Sequence, residues 1–187
     1  NFSEFLKEII PVAEENNIKM ALHPDDPPIS LFGLPRIVSN HEDYQFVLDQ
    51  YKSHNNGITF CTGSLASNFN NDIYKMFDHF KDKIHFIHLR NVTIEKDNIS
   101  FIESDHLEGD INFVKIINMI LIEEKKRKEN NQDYHIPMRP DHGHSLLDDK
   151  KKKLNPGYSC IGRMKGLAEI RGIIKTLDNE QSQNQHI

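Results

Sequence analysis

Residues 84–89, I-H-F-I-H-L, decide the fold, because this nearly continuous apolar run predicts a strand buried on both faces. Similar short apolar runs occur at residues 18–23, 58–62 and 135–139. Segments with apolar residues at helical spacing precede, separate and follow these four predicted strands. Such alternation is typical of α/β proteins with a parallel sheet and right-handed crossovers. The sequence therefore predicts one helix followed by four β/α units.

The helical segments carry apolar residues three and four positions apart, which predicts amphipathic helices. They begin near residues 2, 40, 73, 110 and 167. Asp110 is the predicted N-cap of the fourth helix, and residues 92–109 before it are predicted to form an elaborated loop. Residues 179–187 are strongly polar and are predicted to be a disordered tail.

Four β/α units amount to half of an eight-stranded TIM barrel. An open half barrel would leave two sheet edges and a wide apolar surface unpaired. We therefore expect about four further units upstream or on another chain. Residues 1–178 are predicted to be half of a TIM-barrel domain.

Composition and charge describe an ordinary globular chain of 187 residues, with 37% hydrophobic and 27% charged residues. The formal net charge of -5 argues against a nucleic-acid partner, because phosphate binding needs a basic patch. The sequence lacks the run of about eighteen apolar residues that a membrane span requires, so no membrane contact is expected. We expect a cytoplasmic location with both cysteines reduced.

Each predicted strand runs into a side chain that can bind a metal ion, namely His23, Cys61, His88 and Asp141. Taken alone, a cysteine on a strand is most often a small buried hydrophobe. Recurrence in four successive units favours a shared ion, because functional groups collect at the carboxyl ends of parallel strands. The mixed ligand set predicts a catalytic metal site, for which zinc, ferrous iron and manganese are all compatible ions.

Six motifs resemble those of the mannonate dehydratase family. They are A-L-H-P-D-D-P-P from Ala21, F-G-L-P-R-I-V-S from Phe32, F-C-T-G-S from Phe60, H-L-R-N from His88, M-R-P-D-H-G-H from Met138 and N-P-G-Y-S-C-I-G-R from Asn155. The motifs follow one another over nearly the whole chain. The resemblance implies the C-terminal half of a xylose-isomerase-like TIM barrel. That enzyme would be a lyase that dehydrates D-mannonate to 2-keto-3-deoxy-D-gluconate in hexuronate (glucuronate) catabolism.

The resemblance also implies roles for individual residues. His23, Cys61, His88 and Asp141 would be ligands of Mn²⁺ or Fe²⁺, and a purified sample could instead carry Zn²⁺ or Co²⁺. The implied partners are a small sugar acid, the N-terminal half of the barrel and further copies of the protein in a homo-oligomer.

The acid and base groups implied by the resemblance are His142 and Tyr158, and the residues do not decide which is which. Arg139 lies two positions before Asp141, on the same side of the strand. Its planar guanidinium suits either the substrate carboxylate or an ion pair with Asp141. Weaker candidates for shaping the site are Asp25, Asp26, Arg36, Asn91 and His106.

Two other functions stay open at this point. The same barrel and metal could serve sugar isomerisation, epimerisation or endonuclease chemistry, although a thiolate ligand and the acidic composition argue against these. A half barrel could also have lost catalysis and serve as an assembly partner for another protein.

Overall fold

Strands and helices alternate along the chain in the predicted order. The structure is a computed structural model and describes residues 1–183. Its strands are β1 (Met20–Leu22), β2 (Asn56–Cys61), β3 (Ile84–His88), β4 (Asn91–Ile94), β5 (Phe101–Ser104) and β6 (Met138–Arg139). Its helices are α1 (Phe2–Glu15), α2 (His41–Gln50), α3 (Thr62–Ala66), α4 (Ile73–Phe80), α5 (Phe113–Glu129) and α6 (Cys160–Gln183).

The central sheet is parallel and contains β1, β2, β3 and β6 in that spatial order. Each strand therefore pairs with the next one of this set along the chain, as in a (β/α)8 barrel. In the register, Cys61 lies opposite His88 and His88 lies opposite Arg139. The carboxyl ends of these strands consequently lie at one level. The prediction of an α/β fold made of parallel β/α units, arranged as part of a TIM barrel, is confirmed.

The hydrophobic core joins this sheet to the helices. Every residue of β2 is buried, and the ring of Phe60 meets the ring of Phe77 from α4 edge to face, with centroids 5.5 Å apart. Ile116, Ile117 and Ile120 of α5 are fully buried against the same cluster. Burial of these apolar side chains fixes the strands, and with them the side chains at the strand ends.

An antiparallel hairpin of β4 and β5 occupies part of residues 92–109, where the sequence predicts only a loop. Asp110 does not cap the following helix either: its Oδ2 accepts the amide of Ile94, and Asn112 caps α5. The N-cap prediction was wrong because the Asp110 carboxylate is already bound to the Ile94 amide, and the hairpin was missed because its strands are short and half-exposed. Their sequence therefore shows little apolar alternation.

The last helix, α6, continues through Gln183. The predicted disordered tail, residues 179–187, overlaps the end of this helix, and its disorder stays a prediction. Residues 184–187 lie outside the described residues. Within the described part of the chain, every helix is too short or too polar to cross a membrane.

Candidate metal centre

Three of the predicted ligands converge at the carboxyl edge of the sheet. The ligand atoms of His23, Cys61 and His88 all lie within 4.8 Å of one another. The Nε2 of His23 is 3.0 Å from the Nδ1 of His88. Cys61 and His88 are buried, and His23 is partly buried. The set could hold one divalent ion, because imidazole and thiolate are both common ligands of such ions.

Asp141 approaches the same cluster from the turn after β6. Its Oδ2 lies 3.7 Å from the Nδ1 of His88 and 3.9 Å from the Sγ of Cys61. Its Oδ1 accepts a 2.7 Å hydrogen bond from the Nη2 of Arg139. The backbone of Asp141 has φ of 63°, in the left-handed region that non-glycine residues seldom adopt. Such a conformation is held by its surroundings, and here it accompanies a carboxylate turned toward the cluster.

The protonation of the two histidines suits metal binding. The Nδ1 of His23 donates to the carbonyl of Pro24 at 2.6 Å, so the Nε2 carries a lone pair, which faces the Nδ1 of His88. Burial lowers the pKa of His88 to about 4, which keeps that imidazole neutral near pH 7. Neutral imidazole is the form that coordinates a metal ion.

The Cys61 thiol lies among these groups, and its sulfur accepts a hydrogen bond from the hydroxyl of Ser64. Burial raises the pKa of Cys61 to about 12, and the hydroxyl of Ser64, which donates to the sulfur at 3.0 Å, acts in the opposite direction. A divalent cation offsets the cost of a buried thiolate, because the metal replaces the proton on sulfur. The donor chemistry of the cluster therefore fits the ions that the sequence implies.

The predicted acid and base groups lie together beside the cluster. The rings of His142 and Tyr158 are 5.3 Å apart, edge to face. The amide of Gly143 donates to the carbonyl of Gly157 at 2.9 Å, which joins the two loop segments that carry these rings. Tyr158 is almost half exposed, so part of this residue is open to a ligand from outside the chain.

Sequence reasoning missed two charged residues at this site. The Oε2 of Glu103, on β5, lies 3.2 Å from the Nδ1 of His142 and raises the pKa of that imidazole. The Nε of Arg90, which is buried, donates to both oxygens of Glu103 at 2.9 and 3.1 Å. The Nη1 of Arg90 donates to the Oδ2 of Asp26 at 2.6 Å. The Arg90 signal was present in H-L-R-N, but nothing in the spacing pointed to Glu103.

Four of the five weaker candidates form hydrogen bonds with backbone groups, whereas Asp26 binds the side chain of Arg90. Asn91 donates to two buried carbonyls, and His106 donates to the carbonyl of Pro140 at 2.7 Å. Asp25 accepts two backbone amides, and Arg36 donates to two backbone carbonyls. These side chains brace the loops around the site.

Parallel β/α units and a cluster of two imidazoles, a thiol and a carboxylate at their strand ends define part of a barrel protein with a candidate divalent-metal site. The family model described as D-mannonate dehydratase (UxuA) matches residues 1–184. The chain belongs to this family.

Two curated relatives come from Agrobacterium fabrum (strain C58 / ATCC 33970). Mannonate dehydratase 2 is 51% identical over 180 residues, which are 96% of this chain and 45% of the relative. Mannonate dehydratase 1 is 50% identical over 182 residues, with the same coverage of 96% and 45%. The chain thus spans less than half the length of the curated relatives that it matches.

Solved structures agree with this relationship. The crystal structure of mannonate dehydratase from Streptococcus suis serotype 2 superposes with a TM-score of 0.84 at 35% identity, covering 96% of this chain and 49% of that one. A D-tagatose 3-epimerase-like protein superposes with a TM-score of 0.60 at 18% identity, covering 95% and 55%. The second likeness shows a shared fold alone.

Proposed function

We propose that this chain supplies the C-terminal half of a metal-dependent D-mannonate dehydratase. The observation that carries the proposal is the convergence of His23, Cys61, His88 and Asp141, in a chain that belongs to this family. The N-terminal half of the barrel, from the same or another chain, would complete the site. The complete enzyme would act in cytoplasmic hexuronate catabolism as a homo-oligomer.

The reaction removes the C2 proton of D-mannonate and expels the C3 hydroxyl as water. The resulting enol tautomerises to 2-keto-3-deoxy-D-gluconate. Mn²⁺ or Fe²⁺ held by the four ligands would supply a Lewis acid that stabilises negative charge on the substrate carboxylate. His142 and Tyr158 would carry out the two proton transfers. One would take the C2 proton, and the other would protonate the leaving hydroxyl.

Arg139 has two roles in this proposal. Its 2.7 Å bond to the Oδ1 of Asp141 supports a role in orienting that ligand, so that Oδ2 faces the metal. Its side chain is 46% exposed, and the guanidinium has further donors that can bind the carboxylate of a sugar acid. If two of these donors bound the two oxygens of the substrate carboxylate, the contact would fix the substrate relative to the proton-transfer groups.

An assay of product formation tests the proposal. Purified protein loaded with Mn²⁺ or Fe²⁺ would be given D-mannonate, alone and mixed with the N-terminal half of an Agrobacterium relative. We expect keto-deoxy acid when both halves are present and none from this chain alone. Turnover of aldoses, ketoses or abasic DNA in place of D-mannonate would overturn the proposal. Absence of keto-deoxy acid from an assembled and metal-loaded barrel would also overturn it.

A further inference from the structure

The β4–β5 hairpin brings a carboxylate to the imidazole proposed for proton transfer. The Oε2 of Glu103 lies 3.2 Å from the Nδ1 of His142, at the long end of hydrogen-bonding distance. We propose that Glu103 is a positioning residue that fixes the tautomer and orientation of His142. This inference rests on the proposed dehydratase function and adds a residue to its machinery.

The two ring nitrogens of His142 have different surroundings. Nδ1 faces the Glu103 carboxylate, whereas Nε2 has no hydrogen-bond partner among the residues that the structure describes. An ionised carboxylate only accepts hydrogen bonds, so the Nδ1 facing it carries the hydrogen. Nε2 is then left with a lone pair, which is the arrangement that a proton-transferring imidazole needs.

The plane of the His142 ring is restrained from another side as well. A Cβ placed on Gly157 would lie 3.1 Å from the Cγ of His142, so the ring packs closely over this glycine. Gly157 has φ of 80°, a conformation that glycine adopts without a steric cost. The rings of Tyr158 and His142 also meet edge to face, with centroids 5.3 Å apart. Gly157 and Tyr158 therefore pack against the imidazole ring, and Glu103 contacts its Nδ1 edge.

Glu103 is itself anchored. The buried Arg90 binds both of its oxygens, and the register of the hairpin pairs Glu103 with Val92. The hydroxyls of Thr93 and Ser104, which are diagonal neighbours across the hairpin, lie 2.7 Å apart. A carboxylate so held loses little freedom when it orients another group, which is how a supporting residue preorganises a site.

The alternative to a positioning role is that Glu103 only neutralises the charge of the buried Arg90. Asp26 provides the control, because it also neutralises Arg90: its Oδ2 binds the Nη1 of Arg90 at 2.6 Å. The carboxylate that contacts His142 is that of Glu103. Asp26→Asn weakens the charge balance of Arg90 and leaves the His142 contact in place. The two variants therefore separate anchoring of Arg90 from positioning of His142.

The kinetic experiment uses the complete, metal-loaded enzyme and its Glu103→Ala, Glu103→Gln and Asp26→Asn variants. We expect Glu103→Ala to lower kcat by about 10- to 100-fold with little change in KM or bound metal. Glu103→Gln should restore part of kcat, because its amide oxygen still accepts from Nδ1. Asp26→Asn should keep kcat within about threefold of the unaltered enzyme. Equal losses in Glu103→Ala and Asp26→Asn, or no loss in Glu103→Ala, would overturn the proposal.

A second measurement does not depend on activity. In ¹⁵N spectra of the histidine side chains, His142 should carry its hydrogen on Nδ1 in the unaltered chain and lose this preference in Glu103→Ala. An unchanged spectrum would reject the positioning role even in an active enzyme. Failure of the unaltered, assembled enzyme to dehydrate D-mannonate would reject the proposed function, while the spectrum would still decide the contact.

Discussion

The Nε2 of His23 lies 3.0 Å from the Nδ1 of His88, although 65 residues separate them in the sequence. Two nitrogens bound to one ion at about 2.1 Å each are separated by roughly this distance. The contact brings together the ends of β1 and β3, which are separated in the sheet by β2. The strand between them supplies Cys61, so three neighbouring strands place their ligand atoms in one cluster.

Cys61 is predicted to be required for metal binding, and Cys160 is not. Cys61 is buried with its sulfur in the cluster, whereas Cys160 is exposed at the start of α6. After dialysis against Mn²⁺, Cys61→Ala should retain less than about a tenth of the metal in the unaltered protein by elemental analysis. Cys160→Ala should retain the full amount. Full metal content in Cys61→Ala would show that the sulfur is not a ligand.

His85 is predicted to make the folded chain less stable in acid. Burial lowers its pKa to about 4 from the ordinary 6.5. Between these pH values the unfolded chain binds a proton that the folded chain excludes, so the free energy of unfolding falls as pH decreases from 6.5 to 4. The full loss is at most about 3 kcal/mol.

Urea denaturation between pH 7.5 and 5 measures this effect. His85→Gln removes the titration and keeps a donor for the carbonyl of His54, which His85 meets at 2.7 Å. That variant should lose less stability on acidification than the unaltered chain. Gln132→Asn, which exchanges one neutral amide for another at an exposed position, is the control and should follow the unaltered chain. Parallel pH curves for all three proteins would rule out His85 as the cause.

Arg127 is predicted to be essential for stability. It is buried on α5, where its Nε binds the Oε1 of Glu123 at 3.0 Å and its Nη2 donates to the carbonyls of Lys81 and Ile84. Arg127→Ala leaves Glu123 buried without its hydrogen-bonded partner, so we expect a loss of about 3–5 kcal/mol in urea denaturation. Lys126→Ala removes an exposed charge 3.8 Å from Glu123 and should cost less than about 1 kcal/mol. Similar losses in both variants would contradict this explanation.

Gly57 is predicted to be intolerant of a side chain. A Cβ there would lie 2.2 Å from the Cδ2 of His85 and 2.5 Å from the carbonyl oxygen of Lys83. Gly57→Ala should therefore lower the free energy of unfolding by about 1–3 kcal/mol. Gly172→Ala on α6 meets nothing within 4 Å and should raise it by about 0.5–1 kcal/mol. A thermal melt of both variants compares them, and an unaffected Gly57→Ala would show that this region of β2 can shift.

The positions of His23, Cys61 and His88 could be predicted because each follows an apolar run that also determines its strand. Periodicity locates such runs, and parallel topology then brings their ends together. The contact between Glu103 and His142 could not be predicted in this way. It depends on the register of a hairpin whose strands are partly exposed, so burial leaves little pattern in the sequence.

The partner of Arg139 shows another limit of sequence reasoning. Its spacing from Asp141 was compatible with a substrate contact and with an ion pair, and the structure contains the ion pair. At this ion pair Asp141 has a left-handed backbone, with φ of 63°. A glycine in the sequence often indicates a left-handed backbone, whereas an aspartate does not identify one by itself.

Within the described residues, β1 and β6 each have a strand partner on one side alone. Their other sides present amide and carbonyl groups that can template the addition of any extended peptide. Production of this chain by itself is therefore expected to give self-association and poor recovery. Co-expression with polypeptide that occupies both flanks should increase the yield of monodisperse material, before any enzyme assay is attempted.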